Sequence, residues 1–256
     1  MSELFDYFEN NKENCIDKWE HYFDIYDQWF QGYKNKNVTI LEIGIFQGGS
    51  LNMWRNYFGE NAQIYAIDIN PECKQFEDAN TRIFIGSQEN AEFLEFVKSQ
   101  IPKVDIVIDD GGHTMSQQIT SFELLYEHVN SEGIYLCEDL HTSYWKDYGG
   151  GYKENKTFIE YSKDFIDKIN AWHSRSNELT VDDFTLSTDS LHFYDSVLVI
   201  KKRKRAKPVS RRTGKMIIPL DSFKGRQKPL LHSKKNDLFF FFERIYKKIK
   251  FNQRDK

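Results

Sequence analysis

Residues 37–50, NVTILEIGIFQGGS, set the reading of the chain. The apolar, β-branched run Val38–Ile43 ends on Gly44, as a strand buried on both faces does. Gly48 and Gly49 then open a helix through SLNMWRNYF. The alternation recurs downstream. QIYAIDI (63–69), RIFIG (82–86), VDIVIDD (104–110) and GIYLCEDL (133–140) read as strands. A stretch from Pro71, NAEFLEFVKSQI (90–101), SQQITSFELLYEHV (116–129) and TFIEYSKDFIDKINAW (157–172) read as helices. LHFYDSVLVIKK (191–202) reads as a closing antiparallel pair. Such alternation predicts an α/β fold with a doubly wound, mostly parallel sheet. In these sheets ligands bind beyond the carboxyl ends of the strands. Those ends carry Glu42 and Gly44, Asp68, Asp109-Asp110, and Glu138-Asp139.

The chain has 256 residues, 39% hydrophobic and 29% charged, which suffices for a sizeable core and excludes wholesale disorder. Three scattered cysteines, Cys15, Cys73 and Cys137, make neither a disulfide framework nor a CxxC zinc site and suit a reducing cytoplasm. No run approaches the ~20 apolar residues of a transmembrane helix. The polar, acidic start MSELFDYFENNKEN argues against a signal peptide. The net charge of −4 hides a polarity: residues 1–200 carry −20 and residues 201–256 carry +16. The expected organisation is a helical N-terminal cap (1–36), an α/β domain (37–205) and a basic extension (206–256).

At the first strand end, glycine lets backbone approach a ligand, and the helix N-terminus that follows favours anionic groups. The loop is not the GxGxxG dinucleotide fingerprint, and it lacks the GK[ST] of a phosphate-binding loop. Asp68, closing the second strand, can take both hydroxyls of a ribose. At the fourth and fifth strand ends, Asp110 would meet Glu138 and Asp139. Three carboxylates in one cleft repel unless protonated or bound to a cation, and oxygen-only ligation suits Mg²⁺. Cys137, one residue earlier in its strand, should face the other way, which argues against zinc. His113, on a loop freed by Gly111 and Gly112, has an ordinary pKa near neutrality and can take a proton from a hydroxyl.

ExGxxxGGS followed by an acid at the second strand resembles the seven-stranded S-adenosylmethionine (SAM) methyltransferases. Gly86-Ser87-Gln88 sits where that superfamily contacts adenosine. The run IDDGGHTMSQQITSFELLYEHVNSEGIYLCEDLHTSYWKDYGGG resembles the magnesium-dependent sugar O-methyltransferases of the macrolide deoxysugar type and their bacterial surface-sugar relatives. The shared features are D-G-x-H, E-D, T-x-Y-W and a glycine-rich loop, with the entry Asp17-Lys18-Trp19 and Tyr22/Tyr26. The resemblance covers about residues 15–200. It implies Mg²⁺ on Asp110, Glu138 and Asp139, and His113 as general base. It implies SAM contacts from Glu42, Gly44, Gly48, Ser50, Asp68, Ser87, Gln88 and Asp110. Tyr22, His141, Tyr144 and Trp145 are candidate substrate contacts, with core packing an equal reading for each aromatic. The macrolide-type enzymes can carry an extra N-terminal domain, which this chain is expected to lack.

The expected reaction is methyl transfer from SAM to a sugar hydroxyl. The acceptor would be a nucleotide-activated sugar, specifically a GDP-linked heptose or 6-deoxyhexose, destined for capsule, lipopolysaccharide or a glycosylated metabolite. A catechol-type acceptor and a non-catalytic subunit of a surface-glycan assembly are the rival readings. In the tail, KKRKRAKPVSRR precedes NDLFFFFERIYKKIKF, whose Leu238, Phe241, Phe242, Ile245 and Ile249 share a helical face. Packing on the core or in a homo-oligomer, and peripheral contact with the inner face of an anionic membrane, both remain open for it. The acidic body argues against nucleic acid.

Overall fold

The computed structural model describes residues 2–219 and Ser222. The chain divides into two units, Met1–Pro208 and Val209–Lys256. The described residues of the second unit form no strand or α-helix. The helical face expected in NDLFFFFERIYKKIKF lies outside the described residues.

The first unit holds the expected doubly wound, seven-stranded sheet. Its strands are β1 (Thr39–Ile43), β2 (Gln63–Asp68), β3 (Thr81–Ile85), β4 (Val104–Asp109), β5 (Val129–Cys137), β6 (Thr188–Phe193) and β7 (Leu198–Lys202). Their order is β3-β2-β1-β4-β5-β7-β6. β1 to β5 run parallel, and β7 runs antiparallel to both β5 and β6. The helices are α1 (Glu3–Asn10), α2 (Tyr22–Phe30), α3 (Gly49–Phe58), α4 (Ala91–Gln100), α5 (Met115–Leu125), α6 (Phe158–Ile169) and α7 (Asp183–Ser187).

Each sheet face buries its own apolar layer. Ile40, Ile106, Ile134 and Leu136 pack with Leu4, Phe23, Tyr26, Phe30 and Trp54 from α1 to α3. Leu41, Val107, Tyr135 and Cys137 pack with Leu94, Phe122, Phe158 and Phe165 from α4 to α6. Alternate residues of β5 therefore serve opposite layers, as the period of two requires. Residues before β1, expected as a separate cap, are built into the first of these layers.

One boundary differs from the sequence reading. The helix expected through Val129 ends at Leu125, and after a single tight turn, Tyr126–His128, β5 begins at Val129. Val129 pairs with Val104, but the next pair is Ile134 with Ile106, so β5 holds extra residues at this point. Tyr126 and Val129 keep helical apolar spacing, which conceals the switch in the sequence.

The strand order reverses between β1 and β4, which opens a crevice at their carboxyl ends. Gly44 lies there with φ +82°, and a Cβ on it would come within 2.1 Å of the Asp110 carbonyl oxygen. Both the left-handed backbone and the contact exclude a side chain. Gly44→Ala is expected to destabilise the protein by more than ~2 kcal/mol, which lowers Tm by roughly 4–8 °C in a domain this size. Calorimetric scans of the two proteins check this.

Candidate active site

The crevice widens into a cavity of about 1390 Å³, larger than one small ligand needs. The carboxyl ends of β1, β2, β4 and β5 and the segment before α2 line it. Of the expected cofactor residues, Gly44, Asp68, Ser87, Gln88 and Asp110 line this cavity. Glu42, Gly48 and Ser50 do not. Glu42 is fully buried and accepts hydrogen bonds from Ser50 Oγ at 3.1 Å and Trp54 Nε1 at 3.0 Å, so it ties β1 to α3. Burial pushes its carboxyl up to about 7, with Lys18, Trp54 and Ser50 opposing. A Cβ on Gly48 would meet the Phe76 ring, so its role is to let that ring pack on the loop.

Asp68 Oδ2 accepts from the amides of Ile45 and Phe46 at 2.9 and 3.3 Å, and Oδ1 from the amide of Asn70 at 2.8 Å. The acid fixes the glycine loop while facing the cavity. Gln88 is buried and donates to Asp109 Oδ1 and Ser121 Oγ, each at 3.0 Å. Its own oxygen accepts from the Gly112 amide at 2.8 Å. A Cβ on Gly111 would strike that oxygen at 1.8 Å. Gly111 thus lets this loop seat on Gln88, while a Cβ on Gly112 would meet the Gln117 amide.

Asp109 and Asp110 face opposite ways. Asp109 accepts from Tyr135 Oη at 2.8 Å on the α5 side. Asp110 turns into the cavity toward Lys18. Lys18 Nζ is a partner the sequence reading left without a role: its buried ammonium bridges Asp110 Oδ2 and Glu138 Oε2, the latter at 2.9 Å. Burial alone would pull the Lys18 pKa down, but the charges of Asp110, Glu138 and Glu42 overcome this and raise it. Burial pushes Glu138 up to about 8, with the Asp110 charge adding and Lys18 and Tyr26 opposing. Burial likewise pushes Asp110 up to about 7 against the pull of Lys18.

Among the described residues, the group whose potential ligand atoms all lie within 4.8 Å is Asp110, His113 and Asp139. Glu138, expected as a third carboxylate ligand, gives its two oxygens to Lys18 and to Tyr26 Oη, the latter at 2.7 Å. Asp139 Oδ1 accepts from Tyr22 Oη at 2.7 Å, and Asp139 Oδ2 lies 3.3 Å from His113 Nε2. His113 holds a left-handed backbone at φ 56°, and its carbonyl accepts from Thr142 Oγ1 at 2.9 Å. Its buried Nδ1 has no hydrogen-bond partner. Burial, aided by the charges of Lys18 and His141 and opposed by Asp139, lowers its pKa, which keeps the imidazole neutral near pH 7.

The remaining expected contacts spread outward. His141 Nδ1 lies 2.5 Å from Ser196 Oγ and 3.9 Å from Asp139 Oδ1. Trp145 packs on His141 and is half-exposed, while Tyr144 is exposed and outside the cavity wall.

Residues 41–140 match the family model for the methyltransferase domain. The chain is similar in sequence to curated sugar O-methyltransferases. It is 39% identical over 132 residues to the mycinamicin VI 2''-O-methyltransferase of Micromonospora griseorubida, covering 49% of this chain and 33% of that protein. It is 34% identical over 207 residues to an 8-demethyl-8-(2-methoxy-alpha-L-rhamnosyl)-tetracenomycin-C 3'-O-methyltransferase of Streptomyces olivaceus, covering 75% of this chain and 53% of that one. Its fold is similar to that of the methyltransferase MycE from the mycinamycin biosynthetic pathway, solved with Mg, SAH and mycinamycin VI. The TM-score is 0.69 at 31% identity over 79% of this chain and 53% of the other. The chain therefore spans a third to about half of these relatives' length. The fold is the Rossmann-like fold of SAM methyltransferases.

Removing the Lys18 ammonium leaves two carboxylates buried without a counter-charge. Lys18→Met is expected to destabilise the protein by about 3–5 kcal/mol. Neutralising one acid as well, in Lys18→Met/Glu138→Gln, should recover a large part of the loss. Urea unfolding of the three proteins measures both steps.

Proposed function

We propose that the protein is a SAM-dependent O-methyltransferase that methylates a hydroxyl of a deoxysugar. The observation that supports this best is the convergence of Asp110, Asp139 and His113 on the wall of a cavity whose other walls are the glycine loop and Asp68. A relative of the same fold carries Mg and SAH, and curated relatives modify sugars on macrolide and tetracenomycin compounds.

The residues fit both groups. Two carboxylates with an imidazole beside them are a donor set for a hard divalent ion with positions left open. Gly44 lets the first strand end pack directly on the Asp110-Gly111 backbone at the cavity wall, and Asp68, which lines the cavity, would accept from a ribose. When bound, Mg²⁺ would supply positive charge that acidifies the acceptor hydroxyl, and SAM would supply the methyl group. Asp110 and Asp139 would hold the metal, with Tyr22 fixing Asp139 through its hydroxyl. Lys18 and Tyr26 keep Glu138 immobile behind them. His113 Nε2 faces the carboxylates and would take the proton of the acceptor hydroxyl. Orientation and charge complementarity on this rigid frame carry most of the rate.

For the acceptor itself we propose a nucleotide-activated sugar, a GDP-linked heptose or 6-deoxyhexose, of capsule, lipopolysaccharide or glycosylated-metabolite synthesis. We further propose a cytoplasmic enzyme, with the basic residues 201–256 available for an oligomer contact or an anionic membrane face. Among the described residues no helix is long and apolar enough to cross a membrane. A panel of nucleotide sugars and simple deoxyhexosides with isotopically labelled SAM tests the reading, with a catechol as comparison. Label in a sugar supports it, and label in the catechol alone overturns it.

Chelation with EDTA should abolish transfer and added Mg²⁺ should restore it; undiminished turnover after exhaustive chelation removes the metal from the scheme. His113→Ala and His113→Gln should lower kcat by ~10²–10⁴-fold while leaving the affinity for SAM within a few-fold. Steady-state kinetics with calorimetric SAM titration separate the two effects, and transfer within about threefold of wild type excludes His113 as the base.

A further inference from the structure

The exposed aromatic residues beside the carboxylates form a pattern that neither the methyl-donor end nor the core requires. Trp19 is 55% exposed and Trp145 is 48% exposed. Tryptophan is normally a strongly buried residue, and two half-bare indoles a few ångströms from one ring are a site signature more than a packing solution. That ring is His141. Trp19 meets it edge-to-face with centroids 5.7 Å apart, and Trp145 meets it edge-to-face at 4.6 Å. Neither contact is a parallel stack, and about half of each indole stays exposed beside its further ring neighbours, His21 for Trp19 and Tyr148 for Trp145.

The triad is anchored at the reactive end. His141 Nδ1 is 3.9 Å from Asp139 Oδ1 and bonds Ser196 Oγ at 2.5 Å, which fixes the imidazole plane. Trp19 lines the same cavity as Asp110, His113 and Asp139. Its backbone is held by the preceding residue, because Lys18 is pinned between Asp110 and Glu138.

An open aromatic face has negative potential and attracts the electropositive C–H bonds on one face of a pyranose. The hydroxyls at the ring edge then need charged or polar partners, and here these are Asp139, His141 and His113. An aglycone or a second sugar would continue along the rim over Trp145. We propose that Trp19 is the specificity-determining platform on which the pyranose ring of the acceptor lies, with His141 and Trp145 extending it. This deepens the methyltransferase reading and rests on it for the identity of the acceptor, but saccharide binding can be measured without any transfer.

The probe is methyl α-L-rhamnopyranoside, titrated into protein saturated with SAH and Mg²⁺ and followed by saturation-transfer NMR. Wild type is expected to transfer saturation to the C–H protons of one sugar face. Trp19→Ala should weaken the rhamnoside about tenfold, and Trp19→Phe should restore it to within about threefold. SAH affinity by calorimetry should be unchanged in both. Equal rhamnoside affinity in Trp19→Ala and wild type overturns the platform. So does a parallel loss of SAH affinity, which would make Trp19 a structural residue of its segment. The two readings fail separately. Rhamnoside binding that depends on Trp19, with no transfer to any sugar, leaves the platform and removes the methyltransferase reading. Transfer to a sugar whose KM is indifferent to Trp19→Ala does the reverse.

Discussion

The ammonium of Lys18, buried between Asp110 and Glu138, is the interaction on which the site depends. A doubly wound sheet delivers acids to neighbouring strand ends, and burial makes their charge costly. Glu42, Asp110 and Glu138 all surround this ammonium, so one positive charge serves three carboxyl groups. The lysine does not come from the sheet. It lies on the irregular segment between α1 and α2, and the apolar layer holds both helices through Leu4, Phe23, Tyr26 and Phe30. Packing on one face of the sheet therefore places the charge that makes the carboxyl ends tolerable. Tyr22 and Tyr26 repeat the logic with hydroxyl groups, each donating to one acid of the Glu138-Asp139 pair.

Parallel strands buried on both faces have a strong signature, an apolar run, and the crossover helices have another, so β1 to β5 and α3 to α6 were legible as elements, with the boundary between α5 and β5 misplaced. The acids at the strand ends were legible for the same reason, since the strand fixes where its last residue points. What escaped the sequence was set by tertiary packing. Nothing periodic marks residues 11–21, and Lys18, though part of the shared entry Asp17-Lys18-Trp19, carries no sign there of its charge partners. The accounting that could have found it was electrostatic: three acids converging at the carboxyl edge need a cation, and a metal is not the only candidate. Glu42 shows the converse. As a strand-end acid beside glycines it reads as a ligand contact, yet Ser50 and Trp54, eight and twelve residues away on α3, use it as an internal hydrogen-bond acceptor.

Two layers of support hold the reactive loop. Asp109 turns away from the cavity and, with Tyr135, anchors Gln88, and Gln88 in turn holds the Gly112 amide. Asp110, one residue on, turns toward the cavity and takes Lys18. The pleat thus separates a supporting acid from a working one at a single strand end. Two glycines follow because Gln88 occupies the volume that a Cβ on Gly111 would fill and Gln117 the volume that one on Gly112 would fill.

His113 is the residue this scaffold has to over-determine. A left-handed backbone at a non-glycine position costs of order 1–3 kcal/mol, and it persists only where neighbours insist on it. Here the Gly112 amide is bonded to Gln88 before it, Thr114 caps α5 after it, and Thr142 from beyond β5 holds its carbonyl. Three separate elements therefore converge on one backbone unit, with the side chain left almost free of bonds of its own and Nδ1 without any. A group meant only to stabilise the fold would be arranged the other way, with its side chain satisfied and its backbone relaxed. Fixing the backbone while leaving the imidazole underused is the arrangement the proposed base requires: in that scheme the cost of organising it would be met in folding and not in each turnover.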